Sequence, residues 1–283
     1  MLSYRHAFHA GNYADVVKHV TLSLILQALC RKETPFCYLD SHAGAGFYSL
    51  TGEFAQKTGE FKEGIELLWH KPEAQIPVLL KPYLAALRAV NKHSELTTYL
   101  GSPALAQYFT RPQDSLTLME LHPSDYQRVK KGFLNDRRIH VHQRDGFEGL
   151  IALTPPPQKR GLVLIDPAYE VKHDYVTVVE TLKTLHKRWQ TGVYALWYPL
   201  LQEVSYQEAV IRKLKNSGIK KIFRVELTRY PSDTPRAMYG TGMVIINPPY
   251  LLAESLTELM PWLWQVLSPE SAGDWRVEWL VSE

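Results

Sequence analysis

Cysteine is scarce in this 283-residue chain, which carries only Cys30 and Cys37. The spacing between them makes neither a CxxC redox pair nor half of a zinc site, so a disulfide framework is excluded and both read as small buried hydrophobes. Long apolar runs are missing too. No stretch comes near the roughly 18 unbroken apolar residues of a membrane helix, and the N-terminal segment lacks the apolar core of a signal peptide. The chain therefore reads as a soluble cytoplasmic protein with no membrane contact. Neither sign of charge prevails: 32 Lys and Arg against 29 Asp and Glu leave a net charge of +3. That permits a polyanionic partner without demanding one. Internal repeats and low-complexity tracts are absent, which excludes solenoid and fibrous architectures.

What is present is ordinary globular composition, 45% hydrophobic and 22% charged, at a length that suits one elaborated α/β domain over residues 1–283. Seven short β-rich runs recur, at Cys37–Asp40, Ser115–Glu120, Arg138–His142, Gly161–Ile165, Val193–Tyr198, Lys220–Leu227 and Gly242–Asn247. Segments of helical period separate most of them, among them Asp125–Phe133, Tyr175–Trp189 and Tyr206–Asn216. This alternation predicts a mainly parallel seven-stranded sheet covered on both faces. The link from Leu227 to Gly242 has no helical period, so the last strand should run antiparallel. Residues 49–113 also break the alternation, with helical segments interrupted by Pro72, Pro77, Pro82 and Pro103. A single crossover needs far fewer residues, so a small helical subdomain is expected there, inserted between the first and second core strands.

The first strand runs into Asp40-Ser41-His42-Ala43-Gly44-Ala45-Gly46, a D-x-x-x-G-x-G arrangement at the strand end where α/β sheets bind ligands. Glycines there let the backbone turn and a ligand approach with no Cβ in the way, although the motif alone is equally an ordinary glycine turn. Ser49 stands where the dinucleotide fingerprint has its third glycine, which counts against NAD or FAD. The next two strands also lead to acids. Glu120 is placed to accept from the two hydroxyls of a ribose, and Asp145, beside Gly146, from an adenine amino group. Three acidic strand ends in a row are poor phosphate ligands. S-adenosylmethionine, with a cationic sulfonium, a ribose and no phosphate, fits them.

The fourth strand ends in Asp166-Pro167-Ala168-Tyr169, close to the [D/N]PP[Y/F] tetrapeptide of amino-methyltransferases. An exocyclic amine of adenine is a poor nucleophile because its lone pair is delocalised into the ring. The Asp166 carboxylate and the Pro167 carbonyl can each accept one of its hydrogens and hold the nitrogen in line with a methyl group. Tyr169 offers an aromatic face for a flipped base. Ala168 replaces the usual second Pro, which loosens the turn but removes neither acceptor. Asn247-Pro248-Pro249-Tyr250 matches the tetrapeptide better as a string. It follows the last strand, at the far side of the sheet, and reads as a structural turn.

The string Tyr4-Arg5-His6-Ala7-Phe8-His9-Ala10-Gly11-Asn12 with Asp15 and Lys18-His19, followed by LDSHAGAG, MELHPSDY, DGF, LIDPAY and ALWYP, closely resembles the RlmJ family of 23S ribosomal RNA adenine-N6 methyltransferases. The resemblance covers nearly the whole chain. It implies a Rossmann-like methyltransferase fold with an inserted helical subdomain, and S-adenosylmethionine as cofactor. It implies that His19, His42, Ser102, Glu120, Asp145, Gly146 and Asp166 line the cofactor or active site, and that Tyr4 touches the RNA. It also raises Lys18 to a ligand contact. From the residues alone Lys18 reads as a helix-surface cation. His6, His9 and His19 lack the Cys or paired carboxylates that would complete a metal set, so they read as solvated histidines on an amphipathic helix and no metal is expected.

The expected RNA grips are the N-terminal arm, with Tyr4 and Arg5, and the loop Arg229–Gly240, whose Arg229, Arg236 and Tyr239 combine charge with an aromatic ring. Scattered basic pairs such as Lys130-Lys131 read as solvated faces. The expected substrate is 23S RNA, protein-free or partly assembled, with no obligate protein partner evident. Two other readings stand beside this one. A DNA adenine-N6 methyltransferase would use the same tetrapeptide, but the chain has little room for a separate target-recognition domain. A non-catalytic nucleic-acid-binding protein serving DNA uptake or use would explain Ala168 as decay, against which the retained Asp166, Tyr169 and acidic set argue.

Overall fold

The computed structural model describes residues 4–92, 95–203, 205–233, 238–268 and 272–283. After a short 3-10 turn at His6–Phe8 comes α1 (Tyr13–Cys30), whose cap Asn12 accepts a hydrogen bond from the Asp15 N–H. Fifteen of its eighteen residues are buried, Lys18 and His19 among them. Apolar residues surround it instead of forming a stripe, so α1 is a core helix and not the amphipathic surface helix expected.

Strand β1 (Cys37–Asp40) opens the main sheet. The interval before the next core strand holds β2 (Phe47–Ser49), α2 (Glu53–Thr58), α3 (Ile65–Trp69), α4 (Lys81–Val90), β3 (Thr98–Leu100) and α5 (Ser102–Phe109), with β2 and β3 paired in a small ladder of their own. The core then alternates through β4 (Ser115–Met119), α6 (Pro123–Gly132), β5 (Ile139–His142), α7 (Gly146–Leu153), β6 (Gly161–Ile165), α8 (Asp174–Arg188), β7 (Val193–Leu201), α9 (Ser205–Lys215) and β8 (Ile222–Thr228). It closes with β9 (Met238–Ile246), α10 (Leu252–Leu267) and β10 (Asp274–Val281).

The sheet order is β10-β8-β9-β7-β6-β1-β4-β5. Strands β5, β4, β1, β6 and β7 are parallel, and β9 runs antiparallel between β7 and β8. The seven strands read from the sequence thus stand in the order 3-2-1-4-5-7-6, a Rossmann-like methyltransferase sheet with its seventh strand reversed. The main sheet has eight strands, however, because β10 adds antiparallel to β8 at the edge. Its sequence DWRVEWLV alternates polar with apolar residues, a strand signal present in the chain but not among the seven runs. One core lies between the sheet and α1, α4, α5 and α10, the other under α7, α8 and α9. Strands β1 and β6 are buried throughout, as central parallel strands between two helical layers must be. All five parallel strands present their C-terminal ends at one edge. The last residue of β9 pairs with the N-terminal part of β7, so β9 ends at the other.

Candidate active site

A cavity of about 510 Å³ opens at the edge where the parallel strands end, bordered by the carboxylates of Glu120, Asp145 and Asp166. Glu120 follows β4 and accepts from the Gly44 N–H at 2.8 Å and the His122 N–H at 2.7 Å. Each oxygen spends one lone pair on the backbone and keeps acceptor capacity for a ligand. Burial pushes its carboxyl pKa up, and the two backbone donors pull it down only in part. Asp145 caps α7, accepting from the Glu148 N–H at 3.0 Å. His42 and Ser102 also border the cavity, and burial pushes His42 down to about 4, so its ring is neutral.

Asp40 does not border the cavity. It is fully buried and accepts from the Tyr38 hydroxyl at 2.6 Å, the Ser102 hydroxyl at 2.7 Å and the His42 N–H at 3.2 Å. It braces the glycine loop from behind, and burial pushes its carboxyl up to about 6. The glycines serve the protein's own packing as much as a ligand. Gly44 and Gly46 sit at φ of +61° and +79°; a Cβ on Gly44 would strike the Tyr48 hydroxyl, and one on Gly46 would strike Phe133. Gly44 borders the cavity and Gly46 does not. A Cβ on Gly146 would meet the Ser41 carbonyl oxygen at 2.0 Å.

Lys18 is the largest departure from the reading of the residues alone. It is 4% exposed, and its Nζ lies 2.6 Å from Asp166 Oδ2 and 2.9 Å from Asp15 Oδ1. Asp15 Oδ2 in turn contacts His6 Nε2 and accepts from the Gly11 N–H, both at 2.9 Å. Burial opposes the charge on each group, yet the partners prevail, holding the Lys18 ammonium well above its ordinary pKa and Asp15 well below the carboxylate range. The ammonium also lies 5.6 Å from the Trp197 ring on β7. Asp15 and Trp197 border the cavity without having been singled out as site residues. The i,i+3 spacing of Asp15 and Lys18 was the signal available for the first.

Pro167, Ala168 and Tyr169 follow Asp166 along the cavity wall. Tyr169 holds φ +54° and is 9% exposed. Its ring lies 4.3 Å from that of Tyr175, and its hydroxyl donates to the Trp197 carbonyl at 2.8 Å. Tyr175 thus covers part of the aromatic surface expected for a base. Tyr4 is 36% exposed, stacks on His9 at 5.5 Å and borders the same cavity. Arg5 donates to the Ser124 hydroxyl at 2.9 Å. Arg229 does not fit its expected role in gripping RNA. It is 6% exposed and its guanidinium donates to the Glu63 carbonyl at 2.7 Å, the Tyr230 hydroxyl at 2.8 Å and the Leu267 carbonyl. It is a buried brace, and Tyr239 is buried beside the same turn. Arg236 lies outside the described residues.

Among the described residues that border the cavity are eight carboxylates and one ammonium, that of Lys18. A cationic ligand suits such a lining and a phosphate does not. Fold and site together define an S-adenosylmethionine-dependent methyltransferase. A family model described as "Ribosomal RNA large subunit methyltransferase D, RlmJ" matches residues 33–281. Ribosomal RNA large subunit methyltransferase J of Escherichia coli (strain K12) is 45% identical, and that of Haemophilus influenzae (strain ATCC 51907 / DSM 11121 / KW20 / Rd) 44% identical, each aligned over 100% of both chains. A crystal structure of a protein from Legionella pneumophila str. Philadelphia 1 superposes with a TM-score of 0.89 at 36% identity, over 96% of this chain and 98% of that one. The chain belongs to the RlmJ family of large-subunit ribosomal RNA methyltransferases. These matches do not favour the DNA-methylating or non-catalytic alternatives.

Proposed function

We propose that the protein transfers a methyl group to the N6 amine of a specific adenine in 23S ribosomal RNA, in the cytoplasm, acting on RNA that is protein-free or partly assembled. The observation that carries this reading is the Asp166-Pro167 pair at the end of β6, held over a carboxylate-rich cavity by the 2.6 Å bond from Lys18. Glu120, Asp145, His19 and His42 are the residues that would hold S-adenosylmethionine, which supplies an electrophilic methyl on its sulfonium. Lys18 holds Asp166 Oδ2, which leaves Oδ1 to accept one N6 hydrogen while the Pro167 carbonyl accepts the other. Drawn this way, the nitrogen's lone pair is released from the ring toward the methyl, and the N6 proton that methylation displaces leaves along the hydrogen bond to Asp166 Oδ1 and on to solvent. Residues 49–113 form an inserted unit within the single methyltransferase domain.

An adenine must leave its stack to reach Asp166, at a cost of a few kcal/mol from a duplex and less from a loop. Methyl transfer should therefore be measured to transcribed 23S RNA, a hairpin carrying the target adenine, the same sequence as a full duplex, a DNA counterpart and intact large subunits. Free RNA and the hairpin should accept the methyl, and N6-methyladenosine should be recovered on digestion. An intact subunit that was the best substrate would sink this reading. So would a Tyr4→Ala enzyme that methylated the hairpin at the full rate.

A further inference from the structure

We propose that Tyr99, backed by Tyr83, is a positioning residue that fixes His19 as a neutral Nε2–H donor to the carboxylate of the cofactor's methionine moiety. This rests on the reading that His19 borders the cofactor. His19 follows Lys18 on α1 and is 1% exposed, yet it borders the cavity. Burial above all, with Lys18 and His6 nearby, keeps its ring neutral by pushing it down to about 3 against the pull of Asp15. A neutral imidazole has a single N–H, and the partner of one nitrogen decides which nitrogen carries it. Here Nδ1 lies 2.7 Å from the Tyr99 hydroxyl, which lies 3.0 Å from the Tyr83 hydroxyl.

The hydrogens in this chain can run in two directions. If Nδ1–H donated to Tyr99 and Tyr99 to Tyr83, the buried Tyr83 hydroxyl would keep a hydrogen with no acceptor among the described residues. In the other direction Tyr83 donates to Tyr99 and Tyr99 to Nδ1, and every hydroxyl hydrogen is used. An orphaned buried donor costs its full desolvation, so the second direction prevails. It places the imidazole hydrogen on Nε2, which bonds no described residue. The cofactor's carboxylate is its one anionic group, and the acidic lining repels it. Lys18 is committed to Asp15 and Asp166. The Nε2–H of the neutral His19 ring, next to Lys18 on α1, is a donor still available to meet that carboxylate. Tyr83 on α4 and Tyr99 on β3 both belong to the 49–113 interval and neither borders the cavity, so this interval, which meets the cavity directly at Glu60, Gly101 and Ser102, also reaches it through a chain of hydrogen bonds to His19.

The test is equilibrium binding of two probes, S-adenosylhomocysteine and methylthioadenosine, the second of which lacks the carboxylate. Tyr99→Phe should weaken S-adenosylhomocysteine about five- to tenfold and leave methylthioadenosine within about twofold, since one neutral hydrogen bond is at stake. Tyr83→Phe should act in the same sense with a smaller loss. Nitrogen-15 spectra of histidine-labelled protein should show the hydrogen of His19 on Nε2. Equal losses for both probes would mark Tyr99 as merely structural and overturn the proposal, as would a hydrogen found on Nδ1. A His19→Ala protein that bound S-adenosylhomocysteine normally would remove the underlying reading as well. If His19→Ala lost affinity while Tyr99→Phe did not, only the positioning role would fall.

Discussion

Asp166-Pro167-Ala168-Tyr169 and Asn247-Pro248-Pro249-Tyr250 each follow a strand of the same sheet, but β6 runs parallel to β1 whereas β9 runs against β7. They therefore emerge at opposite edges. At the first, the side chain of Asp166 takes a buried ammonium and faces a cavity. At the second, the Asn247 amide donates to the Gln190 and Gly192 carbonyls at 2.7 and 2.8 Å, and Tyr250 is 82% exposed. The better match to the tetrapeptide is thus the one that ties a turn. Strand direction, which decides whether an end meets the cofactor edge, outweighs the letters.

The comparison breaks most sharply at Asp166. Asp166→Ala should lower the methyl-transfer rate by on the order of 10³-fold, as loss of a preorganised acceptor at the reacting atom does, with the circular dichroism spectrum unchanged. A rate within tenfold of wild type would move the chemistry elsewhere. Next in size is the cost of burying acids at the cofactor edge. The folded pKa of Asp40, raised to about 6 by burial, lies above the unfolded value near 4, so its contribution to stability is full below about pH 4 and is lost as pH rises through about 6. Denaturant unfolding from pH 4 to 7.5 should show Asp40→Asn gaining on wild type by on the order of 2 to 3 kcal/mol across that window. Parallel curves would mean that Asp40 ionises in the fold without penalty. The smallest effect belongs to the opposite edge. Asn247→Ala loses two bonds to carbonyls and keeps a positive φ of 53°, so it should cost about 1 to 2 kcal/mol of stability and leave the turnover rate within about twofold. A large drop in turnover would restore Asn247 as a candidate for the chemistry.

The central strands were readable because a buried parallel strand is a nearly continuous apolar run, and because the acids at their ends interrupt that run abruptly at Asp40, Glu120 and Asp166. The reversed strand was readable from a link with no crossover helix. Other features depend on distant partners. The burial of Lys18 depends on Asp166, 148 residues away, and nothing local distinguishes it from a surface lysine. Arg229 looks like an RNA contact in a polar loop until α10 and the Glu63 turn close over it. The separation of Asp40 from the cavity is likewise a matter of where Tyr38 and Ser102 reach. Strand β10 was missed despite a local signal, its alternation of Trp and Val with charged residues, and α10 was missed despite its helical period.

The carboxylates that border the cavity act as a field as well as a set of contacts. Their negative potential draws in the cationic S-adenosylmethionine and meets the phosphodiester backbone with a repulsion that grows as it approaches, so a neutral base can enter while its phosphates stay at the rim. Methyl transfer then changes the balance from within. The sulfonium becomes a thioether and loses its charge, so the attraction that favoured the incoming cofactor no longer holds the spent one. The same acidic lining that loads the site therefore loosens its hold once the reaction is done.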